Sequence, residues 1–186
     1  MNHRYVVNVT AIDRPGIVAG VSSVITRLKG NIESCSQTVL EGYFTLILTF
    51  STDEQYATDF LKEQILSEKG METCEAIVLP VCENMIKNQT SDSNLYVISA
   101  FGRDCEGVVS QFTRYLCSKE INIVDLYANI TAEGKFVLIC QVQIAPSLDL
   151  KNIQYDLEAL GEQAGFTVRI QHNNVFVATN QIRLDR

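Results

Sequence analysis

The sequence has no apolar run near the ~20 residues that a membrane-spanning helix needs. Its start, Met1-Asn2-His3-Arg4, leads directly into a strand-like pattern without the apolar region of a signal peptide, so a cytoplasmic protein is expected. Clustered positive charge is missing as well. The 15 Lys and Arg are scattered against 22 Asp and Glu, for a net charge of −7. Phosphate neutralisation draws on gathered basic residues, and no helix-turn-helix pattern is visible, so direct nucleic-acid contact is not expected. The two histidines, His3 and His172, lie near the chain ends. With no HxxEH-type pair, phosphate loop or nucleophile elbow, the chain reads as a non-enzyme without metal or cofactor. None of the six cysteines forms C-x-x-C, and none stands at zinc spacing from a histidine, so free thiols are expected.

What is present is one conspicuous corner, Asp13-Arg14-Pro15-Gly16-Ile17-Val18, between a strand-like run at 5–12 and a helix-like run at 17–28. Pro15 suits the first position of a helix, where a missing N–H costs nothing. Gly16 lacks a Cβ, so another group can approach the backbone there. The first amides of a helix have no intrahelical partner and the helix dipole favours negative charge at that end, so the corner can hold a carboxylate or phosphate. Asp13 reads equally as a helix cap.

The corner occurs twice. Asp13, Gly16 and Asn31 recur 91 positions later as Asp104, Gly107 and Asn122, and Gly42 and Phe44 recur 92 positions later as Gly134 and Phe136. A unit has been duplicated, with one extra residue in the second copy, which implies two similar domains. In the first copy a stripe at Ile17, Val18, Val21, Ile25 and Leu28 marks a helix ended by Gly30-Asn31. Strands are expected at 32–40 and 43–50 around a Glu41-Gly42 turn. Thr52 and Gln55 offer a capping box for a second helix, and a last strand is expected at 71–79. The second copy repeats this β-α-β-β-α-β order. Each copy therefore reads as a ferredoxin-like α+β sandwich, a four-stranded antiparallel sheet with two helices on one face. The expected boundaries are 1–82 and 95–174 for the two domains, 83–94 for a polar linker, and 175–186 for a C-terminal extension. The apolar residues 175–178 within that extension read as an extra strand or short arm.

The duplicated corner, Asn31-Ile32 and the element order make the chain resemble tandem ACT-domain proteins. Among these it is most similar to the small two-ACT regulators of the glycine cleavage system transcriptional repressor type. That resemblance implies an amino-acid-responsive regulatory protein, a homodimer, with glycine or serine as candidate ligands and a DNA-binding regulator protein as partner. It implies ligand-side roles for Asp13, Arg14, Pro15, Gly16 and Ile17 at the first corner and for Asn31 and Ile32 at the entry to the next strand. In the second copy the matching residues are Asp104, Gly107, Val108 and Asn122. Cys105 and Glu106 replace Arg14 and Pro15 there, exchanging a cation that could meet a carboxylate for an anion that repels one. The alternative reading is an interaction or dimerisation module without a small ligand.

Overall fold

The computed structural model describes residues 3–82 and 94–180. The chain divides into two compact units, Met1–Asn88 and Gln89–Arg186. The first holds β1 (His3–Ile12), α1 (Ile17–Arg27), β2 (Asn31–Leu40), β3 (Tyr43–Thr52), α2 (Thr58–Leu66) and β4 (Glu75–Pro80). The second holds β5 (Leu95–Arg103), α3 (Val108–Ser118), β6 (Asn122–Ile130), β7 (Lys135–Gln143), α4 (Leu150–Ala164) and β8 (Phe166–His172), followed by α5 (Asn173–Asn180). The linker expected at 83–94 lies, up to residue 93, outside the described residues.

Both sheets are antiparallel and have equivalent strand orders, β2-β3-β1-β4 and β6-β7-β5-β8. Alternation explains why the two helices of each β-α-β-β-α-β unit cover the same face of its sheet. In β1 the side chains of Tyr5, Val7, Val9 and Ala11 point inward, and in β3 those of Phe44, Leu46, Leu48 and Phe50 do so. Ile17, Val21, Val24 and Ile25 of α1 and Leu61 and Ile65 of α2 close this core. The second core is a separate cluster of the same design, with Phe112 and Leu116 from α3 and Leu157 from α4 over Ile98, Leu138 and Val142. The edge strands β2 and β6 even share a defect, a register shift between Ile32 and Ser34 and another between Ile123 and Asp125. A bulge conserved between copies of a duplicated unit is a built feature of that unit.

Four local expectations are corrected. Pro15 is not the first helical residue but stands in the turn before α1, whose N-cap is Gly16. Gly16 has φ 103°, an angle that favours glycine, and a Cβ there would meet nothing within 4 Å, so the space beside its backbone is open. At the end of α1 the left-handed residue is Lys29, with φ 56°, and not Gly30 or Asn31. Gly30 is instead the close approach, since a Cβ would sit 2.9 Å from Ile25 Cγ2 and 3.1 Å from the Phe50 ring. The Thr52–Gln55 capping box does not form. Thr52 closes β3, its hydroxyl donates to Glu54 O at 2.7 Å, and α2 starts after Ala57 without a side-chain cap. Finally, residues 175–178 are helical rather than extended. β8 has run out of partner at His172, which pairs with Tyr96 near the start of β5. A helix then satisfies the backbone internally, and α5 packs on β5 and β8.

Candidate functional site

The first corner is held from both sides. The backbone N–H of Asp13 donates to Gly42 O at 2.9 Å, which ties the end of β1 to the β2–β3 turn. That turn is a tight two-residue one, with positive φ at Glu41 (51°) and Gly42 (79°). Gly20 N–H donates to Gly16 O at 2.8 Å, the first hydrogen bond of α1. The amides of Ile17, Val18 and Ala19 precede it and have no intrahelical acceptor, and no side chain caps them. These residues line a shallow cavity of about 300 Å3 together with Asp13, Arg14, Pro15, Gly16, Gln37 and Phe44.

Arg14 is spoken for within its own unit. Its guanidinium donates to Ile12 O at 3.2 Å, to Gly70 O at 2.7 Å and to the Cys74 thiol at 3.5 Å. It fastens the corner to the segment between α2 and β4. In the same segment the Gly70 N–H donates to the Glu72 carboxylate at 3.0 Å. That bond, Glu72's own N–H, and the nearby charges of Arg14 and Lys69 hold the Glu72 carboxyl below its ordinary value of 4.5.

The structure therefore brings Asp13, Arg14, Pro15, Gly16 and Ile17 together around one cavity, but not Asn31 and Ile32. Ile32 pairs with Phe50, and Phe50 with Tyr5, whereas the corner follows Ile12. At ~3.3 Å per residue this is roughly 20 Å away along the sheet. The second corner repeats the backbone of the first. Gly107 is the N-cap of α3 with φ 81°, Gln111 N–H donates to its carbonyl at 3.0 Å, and Val108 turns into the core. Arg14 has no counterpart there; the exposed Cys105 thiol lies 3.9 Å from Ala164 O. Asn122, like Asn31, is at the far end of its sheet, paired with Gln143, and lines a different cavity of about 550 Å3 with Thr113, Cys117 and Glu120.

A family model described as the ACT domain matches residues 3–74 and 94–171. The chain belongs to the ACT-domain family. Its two ACT units make it a regulatory protein of a family that is not typically catalytic. A UPF0237 protein of Methanococcus maripaludis is 34% identical over 87 residues, 46% of this chain and 96% of that protein. Another, from Streptococcus pneumoniae, is 42% identical over 59 residues, 32% of this chain and 67% of that protein. An unknown protein from Galdieria sulphuraria has a TM-score of 0.78 at 22% identity, covering 92% of this chain and 98% of that one. A candidate glycine cleavage system transcriptional repressor has a TM-score of 0.68 at 17% identity, covering 92% and 97%. At these identities the likeness is one of fold, and it extends over both ACT units.

Gln37, Phe44, Val18 and Ala19 complete the lining of the first ACT unit's cavity and are not among the site residues expected from sequence, although Val18 belongs to the corner and Phe44 to the repeat. The signal for Gln37 is the two-residue turn. Pairing Leu40 with Tyr43 places Gln37 beside Leu46, on the helix side of the sheet near the corner. Among the described residues no group of three or more His, Cys, Asp or Glu side chains comes together, and no helix is long and apolar enough to cross a membrane.

Proposed function

We propose that this chain is an amino-acid-responsive cytoplasmic regulator that binds a small zwitterion, glycine or serine, at the first corner. We assign the ACT units to residues 1–82 and 95–174, joined by the linker 83–94 and followed by the extension 175–186. The observation that carries the reading is the cavity lined by Asp13, Gln37 and the first residues of α1, Ile17, Val18 and Ala19, a helix start without a side-chain cap. The ligand carboxylate meets the amides of Ile17–Ala19, where the helix dipole favours an anion. The ammonium meets Asp13, the Gln37 carbonyl, or Asn31 of an adjacent unit. Arg14 contributes charge and rigidity rather than a direct bond, because its donors already face Ile12 O and Gly70 O.

Binding shifts the docking of units in a homodimer, and a DNA-binding regulator protein reads that change by protein contact. The second corner, with Glu106 in place of Pro15, contributes less. Titration calorimetry of the full chain against the common amino acids tests this. Heat with glycine or serine that is lost in Asp13→Asn supports it. An absence of heat with every amino acid removes the sensor and leaves the second reading, an interaction module without a ligand, which the internal engagement of Arg14 favours.

A further inference from the structure

We propose that two copies of this chain pair through the outer face of the first sheet, the face turned away from α1 and α2. This rests on the homodimer named above and not on the ligand. Strand alternation that sends Val7, Leu46 and Val78 inward sends Ile12, Tyr43, Ile47, Ile77 and Leu79 outward, with Leu40 beside Tyr43 at the turn. They remain 60%, 58%, 48%, 60%, 56% and 67% exposed, respectively. Together they offer roughly 700 Å2, above the few hundred Å2 of the largest patch on a typical monomer and close to the ~800 Å2 that each partner gives to a standard interface.

The middle of the face carries no charge. Across the sheet Ile47, Asn8 and Ile77 share one row, Thr49, Val6 and Leu79 the next, and Thr45 and Thr10 lie beside them. Among the described residues of this face, charge enters at the margins, with the Arg4–Glu33 ion pair at one end and Glu75 on the edge strand β4 beside Thr10 in register. An uncharged centre with a polar rim is the composition of an interface core. A single patch of this kind meets its own copy across a two-fold axis without opposing like charges.

The second unit shows what the same face becomes when it is used otherwise. There α5 lies against β5 and β8, Gln141 of β7 donates to Asn173 Oδ1 at 3.0 Å, and Leu95 and Val97 on that face are buried. The uncovered remainder bears charge, with Arg169 next to Ser99 and Arg103 next to Lys135. Within the second unit this face is partly covered by α5 and its remainder is charged, whereas within the first unit the described residues leave it bare and neutral at its centre.

The test is sedimentation equilibrium of the full chain across a concentration range, for the wild type, Ile77→Lys, Tyr43→Glu and Tyr155→Lys. The three substituted side chains are exposed, so the fold, checked by circular dichroism, is retained. We expect a wild-type dimer, a rise of roughly 30-fold or more in its dissociation constant for Ile77→Lys, as for loss of a central interface residue, a smaller rise for Tyr43→Glu, and no change for Tyr155→Lys on α4. A dimer unaffected by both sheet-face substitutions overturns this face while leaving the regulatory reading standing. A wild type that is monomeric at every concentration overturns the face and the homodimer together, and calorimetry still decides the ligand separately.

Discussion

At the scale of single residues, Arg14 shows how a side chain suited to catch an anion can be committed elsewhere. Its hydrogen-bond partner Gly70 is 56 positions away, a distance that no local motif reveals. The consequence is measurable through the cysteines. Cys35, Cys82, Cys105 and Cys117 are exposed, and Cys74 and Cys140 are buried. Burial, together with the Asp125 charge, pushes the Cys140 thiol up to about 11. Since the thiolate is the reactive species, the native protein should be alkylated at four cysteines, with Cys74 and Cys140 reacting only after unfolding. Cys74 lies behind Arg14. Arg14→Ala should therefore open Cys74 to alkylation in the native state and lower stability by ~1 kcal/mol, the order of one hydrogen-bonded contact, while Cys140 stays protected. Peptide mass spectrometry after alkylation reads both sites at once. Protection of Cys74 in the variant would show that Arg14 is not what fastens the segment.

Elements were more legible than the contacts between them, and the reason is physical. Strand alternation, the helical stripe of α1 and the Glu41-Gly42 turn are local, and they set the order and most boundaries of the twelve core elements. Two roles of glycine, positive φ and close approach, give the same letter, and at the end of α1 Gly30 serves the second while Lys29 takes the positive φ. Of the two readings for residues 175–178, an extra strand or a short arm, the strand fails because β8 has no partner left, which is a tertiary fact. The turn joining α2 to β4 carries its own prediction. Glu72 accepts from Gly70 N–H, so its carboxylate is favoured in the folded state and its pKa lies below 4.5. A group depressed on folding contributes stability above its unfolded pKa and loses it as pH falls through the folded value. Urea unfolding followed from neutral pH to below 4.5 should show the wild type more stable than Glu72→Gln at neutral pH, with the difference vanishing in acid. Parallel curves would mean that the turn does not depend on the carboxylate.

At the scale of the whole molecule, duplication leaves two cores that share no buried residue, one centred on Phe50 and one on Phe112. Both rings are almost fully buried and stand at opposite ends of the sequence argument: Phe50 comes from a strand, stacked 5.3 Å from Tyr5, and Phe112 from a helix stripe. Replacing either by alanine removes its burial and leaves a cavity, at a cost of ~3–5 kcal/mol. Because distant sites without shared partners act additively, Phe50→Ala should weaken the first unit alone and Phe112→Ala the second alone. Native-state hydrogen exchange separates the two. In Phe50→Ala the amides of β1 and β3 should lose protection while those of β5 and β7 keep theirs, and Phe112→Ala should give the reverse. The double variant should then show both losses at their single-variant sizes. If either substitution instead lowered protection in both sheets equally, the chain would unfold as one cooperative block. A regulator of that kind would carry a ligand's effect from the first corner to the second unit through stability itself rather than through docking.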